Sequence, residues 1–110
     1  MNFARIIEKT LAIEEVPTSE SAPSDAVDLN GADKFSIQVV ATVGDSIAHL
    51  EGSNDGENWT EIDDEAVAEG ASVMFEQPDC DYRYARINLE NDDAVDVSAD
   101  CLVLVIGDAE

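Results

Sequence analysis

The strongest constraint on the fold is a series of short segments in which apolar and polar residues alternate. Residues 34–43 and residues 82–89 show this alternation most clearly. A period of two is typical of a half-buried β-strand. The apolar faces of these two segments consist of Phe35, Ile37 and Val39 in the first and Ala85, Ile87 and Leu89 in the second.

Turn-forming residues separate these segments at intervals of roughly 8–12 residues, the spacing of all-β domains. Gly44-Asp45 and the stretch Asn54-Asp55-Gly56 are the clearest turns. The sequence therefore predicts an all-β fold, an antiparallel β-sandwich or jelly-roll-like domain. The predicted strands are residues 27–29, 34–43, 46–52, 59–62, 71–76, 82–89 and 95–106, with residues 63–70 as an acidic loop containing a helical turn at 65–68.

The first 26 residues differ from the rest. Residues 4–13 fit a strand, with a short helix as the rival, and residues 14–26 combine Pro17 and Pro23 with Ser, Thr and acids. We predict an N-terminal strand and arm over residues 1–26, followed by a sandwich over residues 27–110. The arm either docks on a neighbouring subunit or folds back on its own sheet, and its predicted contact residues are Phe3, Ile6, Ile7 and Leu11.

The charge balance limits the classes of partner. Twenty-six acids face five bases, and the net charge is −21. Such a surface lacks the basic patch that nucleic acids require, and an anionic membrane repels it. We expect a solvated surface typical of a marine or halophilic setting, or a surface that meets a cationic partner.

No stretch is long and apolar enough for a membrane span or a signal peptide. We therefore expect the protein to be made and used without secretion by the general export pathway. Two reduced thiols are expected at Cys80 and Cys101, with Cys101 in the core of a strand that is buried on both faces at its end.

The sequence predicts no catalytic residue and no cofactor. His49 is the only histidine, and six scattered glycines form no phosphate loop. Calcium or non-specific cations are the one metal hypothesis, with Asp55, Asp63 and Asp64 as weak candidate ligands. The stretch fails the helix–loop–helix calcium pattern, because Ile62 stands where the closing glutamate belongs.

The run LEGSNDGENWT at residues 50–60 resembles an "EGSNDGxNWT" hairpin of small β-sandwich proteins in tailed-bacteriophage virions and of some carbohydrate-binding modules. AVDLNG at 26–31, FSIQVV at 35–40 and YRYARI at 82–87 extend the resemblance. The phage group implies a non-catalytic capsid-decoration, head–tail or tail-associated role, with capsid or tail proteins as partners, a symmetric multi-copy or homo-oligomeric state, and location in a virion assembled in the host cytoplasm.

The alternative is a carbohydrate-binding or adhesive module centred on Trp59, Tyr82 and Tyr84. Exposure of two or more of these rings on one concave face would favour it. A third hypothesis, a small hydrolase, requires a Ser–His–Asp set around His49.

Overall fold

The computed structural model describes residues 3–29, 32–78 and 81–109, with side chains described for 8–29, 32–78 and 81–107. The expected turn at Asn30-Gly31 and the thiol of Cys80 lie outside this part of the chain. Within it the secondary structure is entirely β. The strands are β1 (Phe3–Val16), β2 (Ser21–Pro23), β3 (Val27–Asp28), β4 (Ala32–Val43), β5 (Ser46–Ser53), β6 (Thr60–Val67), β7 (Ser72–Gln77), β8 (Tyr84–Asn91) and β9 (Val97–Ala109).

Two antiparallel sheets pack face to face. The four-stranded sheet has the order β1-β9-β4-β7, and the five-stranded sheet has the order β2-β8-β5-β6 with β3 also on β8. Strands β2 and β3 act as two halves of one interrupted strand, because both pair with β8. With β2 and β3 counted as one strand, each layer has four strands in jelly-roll order, and the sandwich confirms the predicted fold class.

The core lies between the inner faces of the two sheets. Burial alternates residue by residue along β5, β8 and most of β4, as the sequence pattern predicts. The largest fully buried side chains include Phe75, Ile37, Leu50, Ile87 and Leu89. Cys101 is a buried free thiol in this core, and burial raises its pKa to about 12.

The N-terminal segment folds back on the chain's own sheet, one of the two alternatives that the sequence left open. Strand β1 pairs with β9 from Phe3 opposite Ala109 to Val16 opposite Val97. Val16 is buried, and Leu11 packs against the core. The side chains of Phe3, Ile6 and Ile7 lie outside the described part, although their backbones belong to β1. Because β1 has one neighbour in its sheet, its other side is an edge.

Two predicted elements are wrong. Residues 63–67 are not loop or helical turn but the end of β6, which has a single sheet neighbour, β5. An edge strand can pair through its backbone while its acidic side chains stay in water. Strand β6 therefore lacks the apolar alternation from which the other strands were predicted. The end of β9 is not buried on both faces, because Leu102 faces solvent.

Candidate functional site

The two outer faces of the sandwich differ in chemistry. We call the outer surface of the five-stranded sheet the polar face and the outer surface of the four-stranded sheet the apolar face. The polar face carries the chain's single histidine, its single tryptophan and Arg86.

His49 lies at the centre of the polar face, on β5. Its Nε2 is 2.8 Å from Oε1 of Glu90 on β8, and its Nδ1 hydrogen-bonds to Oε1 of Glu61 on β6. Asp64 stands directly opposite His49 in the β5–β6 register. We call His49, Glu61, Asp64 and Glu90 the His49 cluster.

A β-bulge builds this cluster. Asp64 pairs with His49 and Asp63 with Leu50, but Glu61 already pairs with Glu51. Ile62 is therefore the extra residue of β6. In a regular strand, residues 61 and 64 would point to opposite faces; the bulge turns both carboxylates to the side of His49.

The carboxylates determine the charge of the imidazole. Partial burial by itself lowers the pKa of His49, but the hydrogen bonds to Glu90 and Glu61, with the charges of the same two residues, outweigh it. The pKa of His49 is raised above its usual value of 6.5 as a result. The raised pKa favours the protonated imidazole, which donates one hydrogen bond to each of the two glutamates.

Both ring nitrogens of His49 are thus bonded to carboxylates. A hydrolase triad needs one nitrogen facing a serine hydroxyl. Among the side chains described, no serine hydroxyl hydrogen-bonds to His49, so the Ser–His–Asp set required by the third hypothesis does not form around it.

Trp59 lies beside the cluster under an arginine. The guanidinium carbon of Arg86 is 4.2 Å from the centroid of the Trp59 ring, and Arg86 Nε donates a 2.7 Å hydrogen bond to Glu51. Both charged side chains are mostly buried, with 23% of Arg86 and 16% of Glu51 exposed. The tryptophan is half-buried as part of this stack.

The three aromatic residues singled out in the sequence do not share one face. Tyr84 lies on the polar face with Arg83 5.2 Å from its ring centroid. Tyr82 lies on the inner side, where its ring covers Gly52 and meets Phe35 edge-on with 6.0 Å between centroids. Trp59 and Tyr84 are each half-buried, so a concave platform of exposed rings is not formed by these three.

The predicted cation ligands separate into two environments. Asp55 closes its own loop: its Oδ1 accepts hydrogen bonds from the backbone of Glu57 and Asn58 and from the Ser53 hydroxyl. These bonds hold its pKa well below the usual range. Asp64 joins the His49 cluster, while Asp63 accepts a bond from the Asp64 backbone. The three candidates therefore do not form one site.

The apolar face displays the outward side of β9. Leu102 and Met74 are 42% and 50% exposed, and Leu104 and Ile106 are half-buried beside them. Shallow grooves run along this stripe and are bordered by Glu8, Glu76 and Lys34.

Sequence reasoning placed Asp64 among the candidate ligands but missed Glu61 and Glu90 as partners of His49. Glu90 shares the face of His49 by parity on β8, a signal present in the sequence. Glu61 gave no such signal, because its orientation depends on the bulge at Ile62.

No protein-family model matches this sequence, and no curated protein matches it. Solved structures share the fold. The exported protein XepA of PBSX superposes with a TM-score of 0.71 at 19% identity over 94% of this chain, which spans 38% of XepA.

Two further structures match over most of both chains. A protein of Bacillus endospore appendages, described as disulfide-linked pili, has a TM-score of 0.62 at 14% identity, with 98% of this chain and 92% of that one covered. The Yersinia pseudotuberculosis-derived mitogen has a TM-score of 0.55 at 13% identity, covering 98% and 91%. At these identities the likeness establishes the fold. The described residues include no helix able to span a bilayer.

Proposed function

We propose that this chain is a non-catalytic structural subunit that works in many copies, as a capsid-decoration, head–tail or tail-associated protein of a virion. The observation that carries the proposal is the apolar face. On a chain of net charge −21, the stripe formed by the exposed Leu102 and Met74 and the half-buried Leu104 is the place where another subunit can approach with least repulsion.

Strand β9 supports the same conclusion. Its sequence has the continuous apolar pattern of a strand covered on both sides, yet in the single chain its outward residues meet solvent. A second copy of this chain that packs sheet against sheet would supply the missing cover. Lys34, Glu8 and Glu76 border the grooves of this face, so charges of both signs are available to such a contact.

The edge of β1 offers a second contact. It is 14 residues long and lies next to the apolar face. A strand of a capsid or tail protein that paired with it would gain backbone hydrogen bonds. The fold likeness to an appendage protein and the hairpin resemblance to phage proteins fit such a repetitive role.

The oligomeric state in solution tests the apolar face. We expect the wild-type chain to self-associate in sedimentation-velocity runs at 0.15 M NaCl, and more strongly at 1 M NaCl because salt screens the net charge. Leu102→Glu should give a monomer. Val95→Glu is the matched control, since Val95 is 53% exposed in the loop before β9 and lies off this face. A monomeric wild type at both salt concentrations, or equal effects of the two variants, contradicts the proposed contact.

Mass spectrometry of purified particles tests the virion assignment separately. The protein should be present in stoichiometric amounts in particles from the strain that encodes it. Its absence from particles contradicts the virion role even if the chain self-associates.

An adhesive or carbohydrate-binding role is the second candidate, supported by the Trp59–Arg86 stack on the polar face. In a glycan array, a sugar signal lost in Trp59→Ala and kept in Tyr82→Phe would favour this role over assembly.

A further inference from the structure

The geometry points to a metal site that is distinct from the apolar face: we propose that His49, Glu61 and Asp64 bind one divalent first-row transition-metal ion, with Glu90 as the outer partner of the histidine. One ligand atom of each of the three residues, a ring nitrogen of His49 or a carboxylate oxygen, lies within 4.8 Å of the other two, and Nδ1 is the ring nitrogen that faces Glu61. One ion can contact all three after small side-chain rotations, since metal–ligand bonds of Zn²⁺ are about 2.0–2.2 Å long.

The abundance of acids does not explain this convergence. The chain has 26 carboxylate side chains. Among the residues that the structure describes, this is the one group of three His, Cys, Asp or Glu side chains whose ligand atoms meet so closely. It includes the only histidine of the chain.

The backbone is shaped for the site. The bulge at Ile62 is what places Glu61 and Asp64 on one face of β6. Bulges recur next to functional sites because they re-aim side chains. The extra residue, Ile62, is 41% exposed, like most of this edge strand.

Glu90 supplies the outer shell. A ligating histidine commonly donates its second N–H to a carboxylate, which fixes the ring orientation and the tautomer. Here Glu90 accepts from Nε2 at 2.8 Å. When a metal ion displaces the proton of Nδ1, the lone pair of that nitrogen faces Glu61.

The ligand set selects the class of ion. Calcium and magnesium prefer oxygen ligands, whereas imidazole suits Zn²⁺, Ni²⁺ and Cu²⁺. Glu61 and Asp64 are exposed, so the site is open to solvent and water can complete the coordination. We therefore expect a binding site and not a closed structural centre.

Zinc titration of the chelator-treated full chain tests this proposal. The titration is followed by imidazole ¹⁵N NMR in 0.15 M NaCl with 2 mM CaCl₂ present to occupy diffuse acid sites. Because the chain has one histidine, its two ring nitrogens give the whole signal. We expect saturation at one Zn²⁺ per chain, with Nδ1 shifted to the metal-bound position and Nε2 still protonated. Calorimetry in two buffers should show a proton released on binding.

Variants separate a site from diffuse screening. Glu61→Gln should weaken Zn²⁺ binding more than tenfold, and Glu90→Gln by about tenfold, the effect usual for outer-shell partners. Glu65→Gln is the matched control, because it removes one charge from the same strand outside the cluster.

Three results would overturn the proposal. They are an imidazole spectrum unchanged at 1 mM Zn²⁺, equal effects of Glu61→Gln and Glu65→Gln, and metal bound at Nε2 in place of Nδ1. None of these results depends on self-association, so failure here leaves the proposed structural role untouched.

Discussion

The guanidinium of Arg86 is held between two partners, with its carbon 4.2 Å from the Trp59 ring centroid and its Nε 2.7 Å from Glu51. The stack joins β8, β5 and the residue before β6 on the polar face. Cation–π contacts contribute about 0.5–2 kcal/mol, more when water is excluded. The stack therefore anchors the end of the loop that precedes β6 to strand β8.

Replacement of Arg86 by Ala should lower the free energy of unfolding by about 2 kcal/mol, because it removes the stack and leaves the mostly buried Glu51 without its cation. Urea unfolding followed by Trp59 fluorescence measures it, since this is the only tryptophan. Arg83→Ala is the control: it removes a 5.2 Å contact with the Tyr84 ring and a 3.5 Å contact with Asp28. Because Arg83 is half-exposed, the loss should stay below about 1 kcal/mol. Equal losses would contradict the structural role of the stack.

Gly52→Ala should destabilise the sandwich by about 1–3 kcal/mol, the usual range for overpacking. A Cβ at this position would lie 2.9 Å from the Tyr82 ring. Thermal unfolding should show a fall of about 4–8 °C per kcal/mol for a domain near this size.

The double variant Gly52→Ala/Tyr82→Ala identifies the cause. If the Tyr82 ring is the obstacle, Gly52→Ala should lower the free energy of unfolding less in the Tyr82→Ala background than in the wild type. Additive effects of the two substitutions would mean that position 52 requires glycine for its backbone conformation and not because of the Tyr82 ring.

The fold was predictable because the inward residues alternate strictly. Phe35, Ile37 and Val39 needed nothing beyond their period of two, and all three are buried as expected. The turn between β5 and β6 was also predictable from Asn54, Asp55 and Gly56. The close approach of the Tyr82 ring to Gly52 was not, because it joins residues far apart in sequence.

Strand β6 and the residues around His49 were not predicted, and both have a physical reason. Strand β6 has no apolar alternation, since its acids lie at a sheet edge and its partner β5 supplies the pairing. The ligand set at His49 depends on a bulge that a single sequence does not encode as a pattern. Propensity and periodicity describe strands, whereas the site arises where one strand departs from regularity.

Removal of charge from β6 should stabilise the protein at low salt. The strand carries Glu61, Asp63, Asp64 and Glu65 nearly in succession, all exposed. Asp63→Asn/Glu65→Gln should raise the free energy of unfolding by about 0.5–1 kcal/mol at 20 mM NaCl, with little gain at 1 M, where repulsion is screened over about 3 Å. Wild-type stability should itself rise with salt. A gain independent of salt would point to strand propensity and not to charge.

The pKa of His49 predicts how stability depends on pH in chelator-treated protein. The carboxylates of Glu61 and Glu90 bond to its ring, Asp64 stands opposite it, and Glu20 and Glu51 border the same groove. Since the folded pKa is raised above 6.5, the folded chain binds more protons than the unfolded chain between the two values. The stabilisation of the fold by protonated His49 is therefore complete below the pKa of the unfolded chain, and it is lost as pH rises through the pKa of the folded chain.

Urea midpoints measured between pH 5.5 and 9 should therefore fall as pH rises above about 6.5. His49→Gln should abolish this step, because glutamine keeps a hydrogen-bonding group but does not titrate in this range. The depressed pKa of Asp55 gives the opposite dependence, with stability lost only in acid, so the two titrations separate along the pH axis. A wild-type stability that rises between pH 6.5 and 8 would mean that the cluster holds the imidazole neutral, contrary to its two glutamate partners.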